Sequence, residues 1–248
     1  MLKHQTHQYS APIVSIAAHA PPGMDINSPP TDLQWVTVKT TLPKLPLEPS
    51  ATRPCIITER LLLRPVKESD AEAIHEMRTQ PEVMVWTSRG TVDTNMDDTR
   101  KAMANKLPPN DTSNFDFAIC IAETGQLIGV GGVFQWTGNL GWPDIGYMLR
   151  KEAWGKGYGS EFLRAFLPAY WALDRNEVEH RVERDTVSGE GGVEEERISA
   201  TTVPDNNASQ NVLKKNGLRL VKIWKELDSH GTGEMIALLG FIGKKPEA

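Results

Sequence analysis

Residues 143–173, PDIGYMLRKEAWGKGYGSEFLRAFLPAYWAL, carry the order strand, glycine turn, helix. Ile145, Tyr147 and Leu149 alternate with other residues, a strand pattern that ends at Arg150-Lys151-Glu152. Gly155, Gly157 and Gly159 then recur at every second position, so main-chain amides there can approach a ligand without β-carbons in the way. Phe162, Phe166, Tyr170 and Leu173 follow at three- and four-residue spacing, which puts them on one face of a helix. Pro168 lacks an N–H and crowds the carbonyl of Arg164, which predicts a kink or an early end to that helix. A glycine turn at a helix N-terminus aims free N–H groups and the positive end of the helix dipole at one point, and phosphate or pyrophosphate suits it.

The spacing narrows the ligand. No G-x-x-x-x-G-K-[ST] run occurs, and the glycine order G-x-G-x-G departs from the dinucleotide fingerprint G-x-G-x-x-G. The stretch resembles the acyl-CoA pyrophosphate loop of the GNAT N-acetyltransferase superfamily, [RQ]-x-x-G-x-[GA]. Gly157 and Gly159 match that pattern, and Trp154 stands where Arg or Gln is expected. The wording IGYMLRKEAWGKGYGSEFL is most similar to the RimJ/RimL-like branch, the ribosomal-protein N-acetyltransferase type, where an aromatic at that place is familiar. The resemblance implies an α/β GNAT fold, a central mixed, mostly antiparallel sheet flanked by helices. The plainer alternative is a glycine turn that only lets a helix pack closely on a strand.

Working outward, TERLLLRP from Thr58 to Pro65 reads as the first core strand. Ser69 can cap a helix from Asp70 to about Arg78 with Ala73, Ile74 and Met77 on one face. This opening resembles the same branch. Residues 79–93 read as a loop that in the family borders the acceptor pocket, so the resemblance makes Trp86 and Arg89 substrate contacts, against a buried Trp and a solvated Arg. A second helix is predicted from Thr94 to Lys106, stopped by Pro108-Pro109. FDFAICIA from Phe115 and LIGVGGVF from Leu127 form a predicted hairpin, with Gly129, Gly131 and Gly132 marking a bulge or a close backbone approach. ISATTV from Ile198 is a further strand, and Pro204 to Asn207 break it and cap a helix that stops at Asn216-Gly217. The run PDNNASQNVLKKNGL resembles P-x-N-x-x-S-x-x-V-L-x-K-x-G-F, which closes the CoA site in the same branch, with Leu218 in place of Phe. Leu218 to Glu226 and Met235 to Ile242 then make an antiparallel pair, so the resemblance spans roughly Thr58 to Gly243.

At 248 residues the chain holds one ordinary domain plus extra segments. The domain is predicted over 55–245, preceded by a disordered or extended arm over 1–50. In that arm Trp35 begins a β-branched run followed by prolines, read as lying against the domain rather than as a central strand. The short apolar run from Ala11 to Ala20 is broken by His19 and follows no basic segment, against a secretory signal. Of the net charge of −5, nine acidic and three basic residues between Asp174 and Glu196 supply −6, leaving +1 elsewhere. Residues 174–196 therefore read as an acidic, flexible insertion. Nothing forms the basic stripe of a nucleic-acid binder, and no apolar run is long enough for a membrane. Cys55 and Cys120 lack metal or disulfide spacing, and the six histidines form no ligand pair at helical spacing outside the N-terminal stretch. A cytoplasmic monomer or homodimer without a metal is expected.

Acetyl transfer from a thioester needs a neutral amine, a polarised carbonyl and a proton for the departing thiolate. The resemblance implies acetyl-CoA as co-substrate and a primary amine as acceptor. Trp154, Gly155, Lys156, Gly157, Tyr158, Gly159 and Ser160 would surround the pyrophosphate. Met148 and Leu149 would pair with the pantetheine arm as an added strand would. Asn206 would bind that arm and Ser209 would protonate the thiolate, against a Ser209 that only caps its own helix. Asp144 is the best-placed carboxylate for a general base, and Glu161 suits the helix N-terminus. The competing class is a catalytically weak acyl-CoA-binding or partner-interaction module on the same fold.

Overall fold

The computed structural model describes residues 24, 26–188 and 191–246, and the expectations for residues 1–23 lie outside the described residues. The first half of the chain forms β1 (Trp35–Pro43), β2 (Ile56–Ile57), β3 (Leu61–Arg64), α1 (Ala71–Arg78), α2 (Pro81–Met84) and α3 (Met96–Met103). There follow β4 (Phe115–Ile121), β5 (Leu127–Gln135), β6 (Asp144–Leu149), α4 (Tyr158–Trp171), β7 (Arg175–Glu183) and β8 (Gly192–Val193). The chain continues through β9 (Arg197–Thr202), α5 (Asn207–Lys215), β10 (Arg219–Leu227) and β11 (Met235–Lys244).

Eight strands make one sheet in the order β10-β11-β9-β6-β5-β4-β3-β2. Its neighbours are antiparallel except β6 and β9, which run parallel. This is the mixed, mostly antiparallel sheet that was expected. Alternation turns Ile145, Tyr147 and Leu149 toward α4, where they join Phe162, Phe166 and Tyr170 in the main core. The rings of Phe162 and Phe166 stack at 5.5 Å, and burial of each such side chain contributes roughly 1.5–3 kcal/mol. Met148 faces the other way, into a second core with Val130, Ile74, Met77 and Met103 from β5, α1 and α3. A β-carbon on Gly131 would lie 2.6 Å from the Phe162 ring, and the β4–β5 register shifts between Ile119 and Cys120. Both readings of the β5 glycines, bulge and close approach, are realised.

Two local expectations need correction. Pro168 does not end α4, which runs on to Trp171: the carbonyl left without its N–H partner belongs to Arg164, an exposed residue. Ser69 does not cap α1: Asp70 accepts the Lys67 amide at 2.8 Å within a short 3-10 turn and takes both arms of the Arg64 guanidinium.

The larger correction concerns residues 174–196 and the N-terminal arm. Their strands form a second sheet, β7-β1-β8, with β1 at its centre. β1 and β7 pair antiparallel from Trp35↔Glu183 to Pro43↔Arg175. The stretch expected to be an acidic, flexible insertion thus supplies a nine-residue strand. Two of its buried carboxylates have cationic partners: Glu183 meets Lys222 at 2.9 Å and Glu196 meets Arg175 at 2.7 Å. Val38 and Val182 of this sheet bury against Leu140, Trp142, Val221, Trp224 and Ile242. The apolar alternation of β7 is sparse, and its pairing partner lies some 140 residues upstream, so local pattern alone reads it as solvated. Among the described residues no helix is long and apolar enough to cross a membrane.

Candidate active site

The turn between β6 and α4 holds two glycines in the left-handed region, Gly155 at φ 72° and Gly157 at φ 82°. A β-carbon on Gly155 would meet nothing within 4 Å, so here backbone conformation, not crowding, demands glycine. Gly159 serves another purpose: its β-carbon would lie 3.3 Å from Val212 of α5, so it lets two helices approach. Gly157 precedes the first helical residue, Tyr158. The amides of Tyr158, Gly159 and Ser160 therefore open the helix with no acceptor inside it.

Arg60, which the sequence reading did not single out, braces this turn. Its guanidinium bonds Glu161 at 2.6 Å, donates to the Lys156 carbonyl at 3.0 Å and lies over the Tyr158 ring. Burial pushes the Glu161 carboxyl up, but hydrogen bonds from Thr58 and Arg60 outweigh it and hold the group below the ordinary carboxylate value. Glu161 is thus fixed on Arg60 rather than simply facing the helix end. Lys156 is exposed beside it. Trp154, 40% exposed, folds back so that its indole N–H donates to the Leu149 carbonyl at 2.9 Å.

Beyond this turn the sheet opens. β6 and β9 are paired only at Asp144↔Ser199. The Arg150 amide bonds Ile128 of β5 at 2.8 Å, so alternation directs the main chain of Met148 into β5 as well and turns that of Tyr147 and Leu149 toward the gap beside β9. The expected pair is therefore split: Leu149 presents its amide to the gap, and Met148 does not.

α5 borders the gap from the α4 side. Asn206 caps it, accepting the Ser209 amide at 3.0 Å. Ser209 is not its own helix cap; its hydroxyl lies 3.1 Å from the Tyr147 hydroxyl. Burial pushes the Tyr147 phenol up to about 12, only partly offset by its bond to Ser209, so it stays protonated. Tyr147 escaped the sequence reading because its place in the alternation marks it as core, and only its polar tip distinguishes it.

Asp144 projects from the opposite face of β6, as the three-residue offset from Tyr147 requires. It is 6% exposed. Ser199 and Thr201 of β9 donate to its two oxygens at 3.2 Å each. Burial pushes its carboxyl up to about 7 despite those bonds. No cation contributes to that balance.

On the Asp144 side Trp86 is 45% exposed after α2. Arg89 is ion-paired to Asp93 of its own loop at 3.1 Å and to Asp98 in the first turn of α3 at 3.3 Å. The Thr94 amide and hydroxyl hold Asp98 down to about 2. His230, in the turn between β10 and β11, lies 2.9 Å from the Thr87 carbonyl, so the two loops meet. Among the described residues no cluster of His, Cys, Asp or Glu could hold a metal. A groove of about 690 Å³ lies between the C-terminal ends of α4 and α5, remote from the glycine turn, and includes none of these site residues.

Residues 60–219 match the family described as acetyltransferase (GNAT) domain. The chain belongs to the GNAT acetyltransferase family. It is 31% identical over 131 residues to an uncharacterized N-acetyltransferase, p20, of Bacillus licheniformis, covering 52% of this chain and 72% of that protein. The fold is that of the solved microcin C7 self-immunity acetyltransferase MccE in complex with acetyl-CoA and AMP, with TM-score 0.58 and 15% identity over 82% of this chain and all of that one (100%). It is also that of RimL, a ribosomal L7/L12 alpha-N-protein acetyltransferase, with TM-score 0.57 and 18% identity over 77% of this chain and 94% of that one. The expected GNAT fold and N-acetyltransferase class stand, and RimL is among the proteins that share the fold. In this GNAT chain Ser209 and Asn206 stand together at the start of α5 beside the β6–β9 gap, while Arg60, Tyr147 and Thr201 are additions that only the packing supplies.

Proposed function

We propose that this GNAT protein transfers the acetyl group of acetyl-CoA to a primary amine by direct attack in a ternary complex. The observation that carries this reading is the turn at Gly155 and Gly157 opening onto the β6–β9 gap. Amides of Tyr158, Gly159 and Ser160, with the Lys156 charge nearby, suit a pyrophosphate. The Leu149 amide facing the gap suits the pantetheine arm or the thioester oxygen, as an added strand would bond there. The MccE complex with acetyl-CoA supports the choice of co-substrate.

The thioester supplies an activated acyl carbon; the protein's residues handle protons and position. Asp144, pushed up to about 7, is tuned to accept a proton from an ammonium near neutral pH, and Thr201, a half-buried residue whose hydroxyl bonds the carboxyl, gives that proton a path inward. The amine nitrogen bonds the acetyl carbon as the carbon–sulfur bond breaks. Ser209 then gives its proton to the leaving thiolate and is reprotonated by the proton that the nitrogen sheds on becoming an amide, while Tyr147, which keeps its own proton, orients the Ser209 hydroxyl across their 3.1 Å contact. Asn206 holds the first turn of α5 and so sets where Ser209 stands. Trp86, exposed on the Asp144 side, is the acceptor contact this reading retains, whereas Arg89 holds the loop that carries it.

The test is thiol release from acetyl-CoA with a panel of amines, with products read by mass spectrometry. The expected result is an acetylated primary amine formed in step with free thiol. Binding of acetyl-CoA without thiol release from any amine or peptide N-terminus would instead leave a binding module.

A further inference from the structure

The second sheet grips the segment that covers Asp144. Residues 138–142 form a turn closed by the Gly138 amide on the Trp142 carbonyl at 2.9 Å. One side of this turn rests on the carboxyl: a β-carbon on Gly138 would lie 2.5 Å from the Asp144 Cβ and 3.0 Å from its Oδ2. The other side rests on β7. The Glu183 amide donates to the Leu140 carbonyl at 2.9 Å. His180 Nε2 lies 2.6 Å from the Gly141 carbonyl, and the Trp142 indole donates to Thr186 at 2.8 Å. Gly141, at φ 87°, is so close that a side chain there would collide with the Arg181 carbonyl. β7 is in turn held by all nine residues of β1 and by the Glu183–Lys222 ion pair.

We propose that the β7-β1-β8 sheet is a clamp that presses the 138–142 turn onto Asp144 and keeps water from its carboxyl. His180 and Gly138 are the positioning residues, one on each side of the turn. The surrounding charges do not compete for this role. The turn itself carries no titratable side chain. On β9, Arg197 is paired with Glu194 and Glu195. On β7, Glu183 is paired with Lys222, and His180 is engaged at Gly141. On β4, Asp116 is paired with Lys106. Burial, and not a neighbouring charge, is then what sets the carboxyl, and burial is what the clamp controls. The meaning of this for catalysis rests on Asp144 as the proton acceptor, but the clamp itself can be read without turnover.

The experiment uses the full chain with ¹³C-labelled Asp carboxyls, the Asp144 resonance being assigned by its loss in Asp144→Asn. In the parent the resonance is expected to titrate near 7. His180→Leu removes the donor to Gly141, and Gly138→Ala lifts the turn from beneath; each is expected to lower the midpoint by about one unit or more, a tenfold loss of proton affinity. His180→Gln, which restores a donor, is expected to bring the midpoint back. Faster amide exchange at Gly138 in the two loosened variants would accompany the shift. A parent midpoint at the ordinary value of about 4, or an unmoved midpoint in cooperatively folding His180→Leu and Gly138→Ala chains, overturns the clamp. A moved midpoint with an unmoved pH–rate profile upholds the clamp and removes Asp144 from the chemistry.

Discussion

Asp144 is a carboxyl without a cation, and its two hydrogen bonds from Ser199 and Thr201 do not offset its burial. Its folded value of about 7 lies above the unfolded value of about 4, so the folded state binds the extra proton between these limits. Its contribution is therefore full below about pH 4 and is lost as pH rises to about 7, a change on the order of 4 kcal/mol. Asp144→Asn is expected to flatten the stability curve over that window, as measured by urea unfolding at pH 5 and pH 8, and to remove the alkaline rise of kcat/KM. On the other face, Ser209→Ala is expected to lower kcat by about 100-fold or more with little change in acetyl-CoA affinity. Tyr147→Phe should lower kcat less and cost about 1 kcal/mol of stability for one lost hydrogen bond. Equal losses of turnover and affinity in Ser209→Ala would return that hydroxyl to a binding role. The positions of Ser209 and Asn206 were legible because their motif is local to one helix start. The partners of Asp144 were not, since Ser199 and Thr201 reach it only through the pairing of β6 with β9.

At the scale of the element, the strand, turn and helix over 143–173 were legible because two periodicities change over at a glycine run. What each glycine is for was not. Gly155 and Gly157 meet a backbone demand, and Gly159 meets a packing one. Gly157→Val forces a β-branched residue to φ 82° and is expected to weaken coenzyme A binding by tenfold or more in calorimetry, equivalent to about 1.4 kcal/mol. Unchanged affinity would remove the turn from the binding site. Arg60→Ala leaves every turn dihedral permitted but releases the Lys156 carbonyl and Glu161. It is expected to weaken binding by a smaller factor and to leave kcat at saturating acetyl-CoA unchanged. An Arg 96 residues before Lys156, in the bend that precedes β3, carries no local sign of such a contact; only the packing of β3 against α4 brings it there.

For the whole molecule, the decisive contact is the docking of the second sheet. Lys222 is nearly inaccessible between Glu183 and Asp185. Burial pulls its ammonium down, but the bonds to both carboxylates outweigh this and hold it above the ordinary lysine value. Glu183→Leu leaves that charge short of a buried partner and is expected to destabilise the chain by about 3–5 kcal/mol, whereas Glu183→Leu with Lys222→Met should recover much of the loss, read by chemical denaturation. The sequence by itself determined the main sheet, the phosphate-suited turn and the α5 motif, because periodicity, glycine runs and capping residues act within a few positions of one another. Only the tertiary structure decided that the arm and the acidic stretch pair into a sheet, that Tyr147 meets Ser209, and that Asp144 is closed off from water. Each of those depends on burial and on hydrogen bonds between segments far apart in the chain, and neither is written in the order of neighbouring residues.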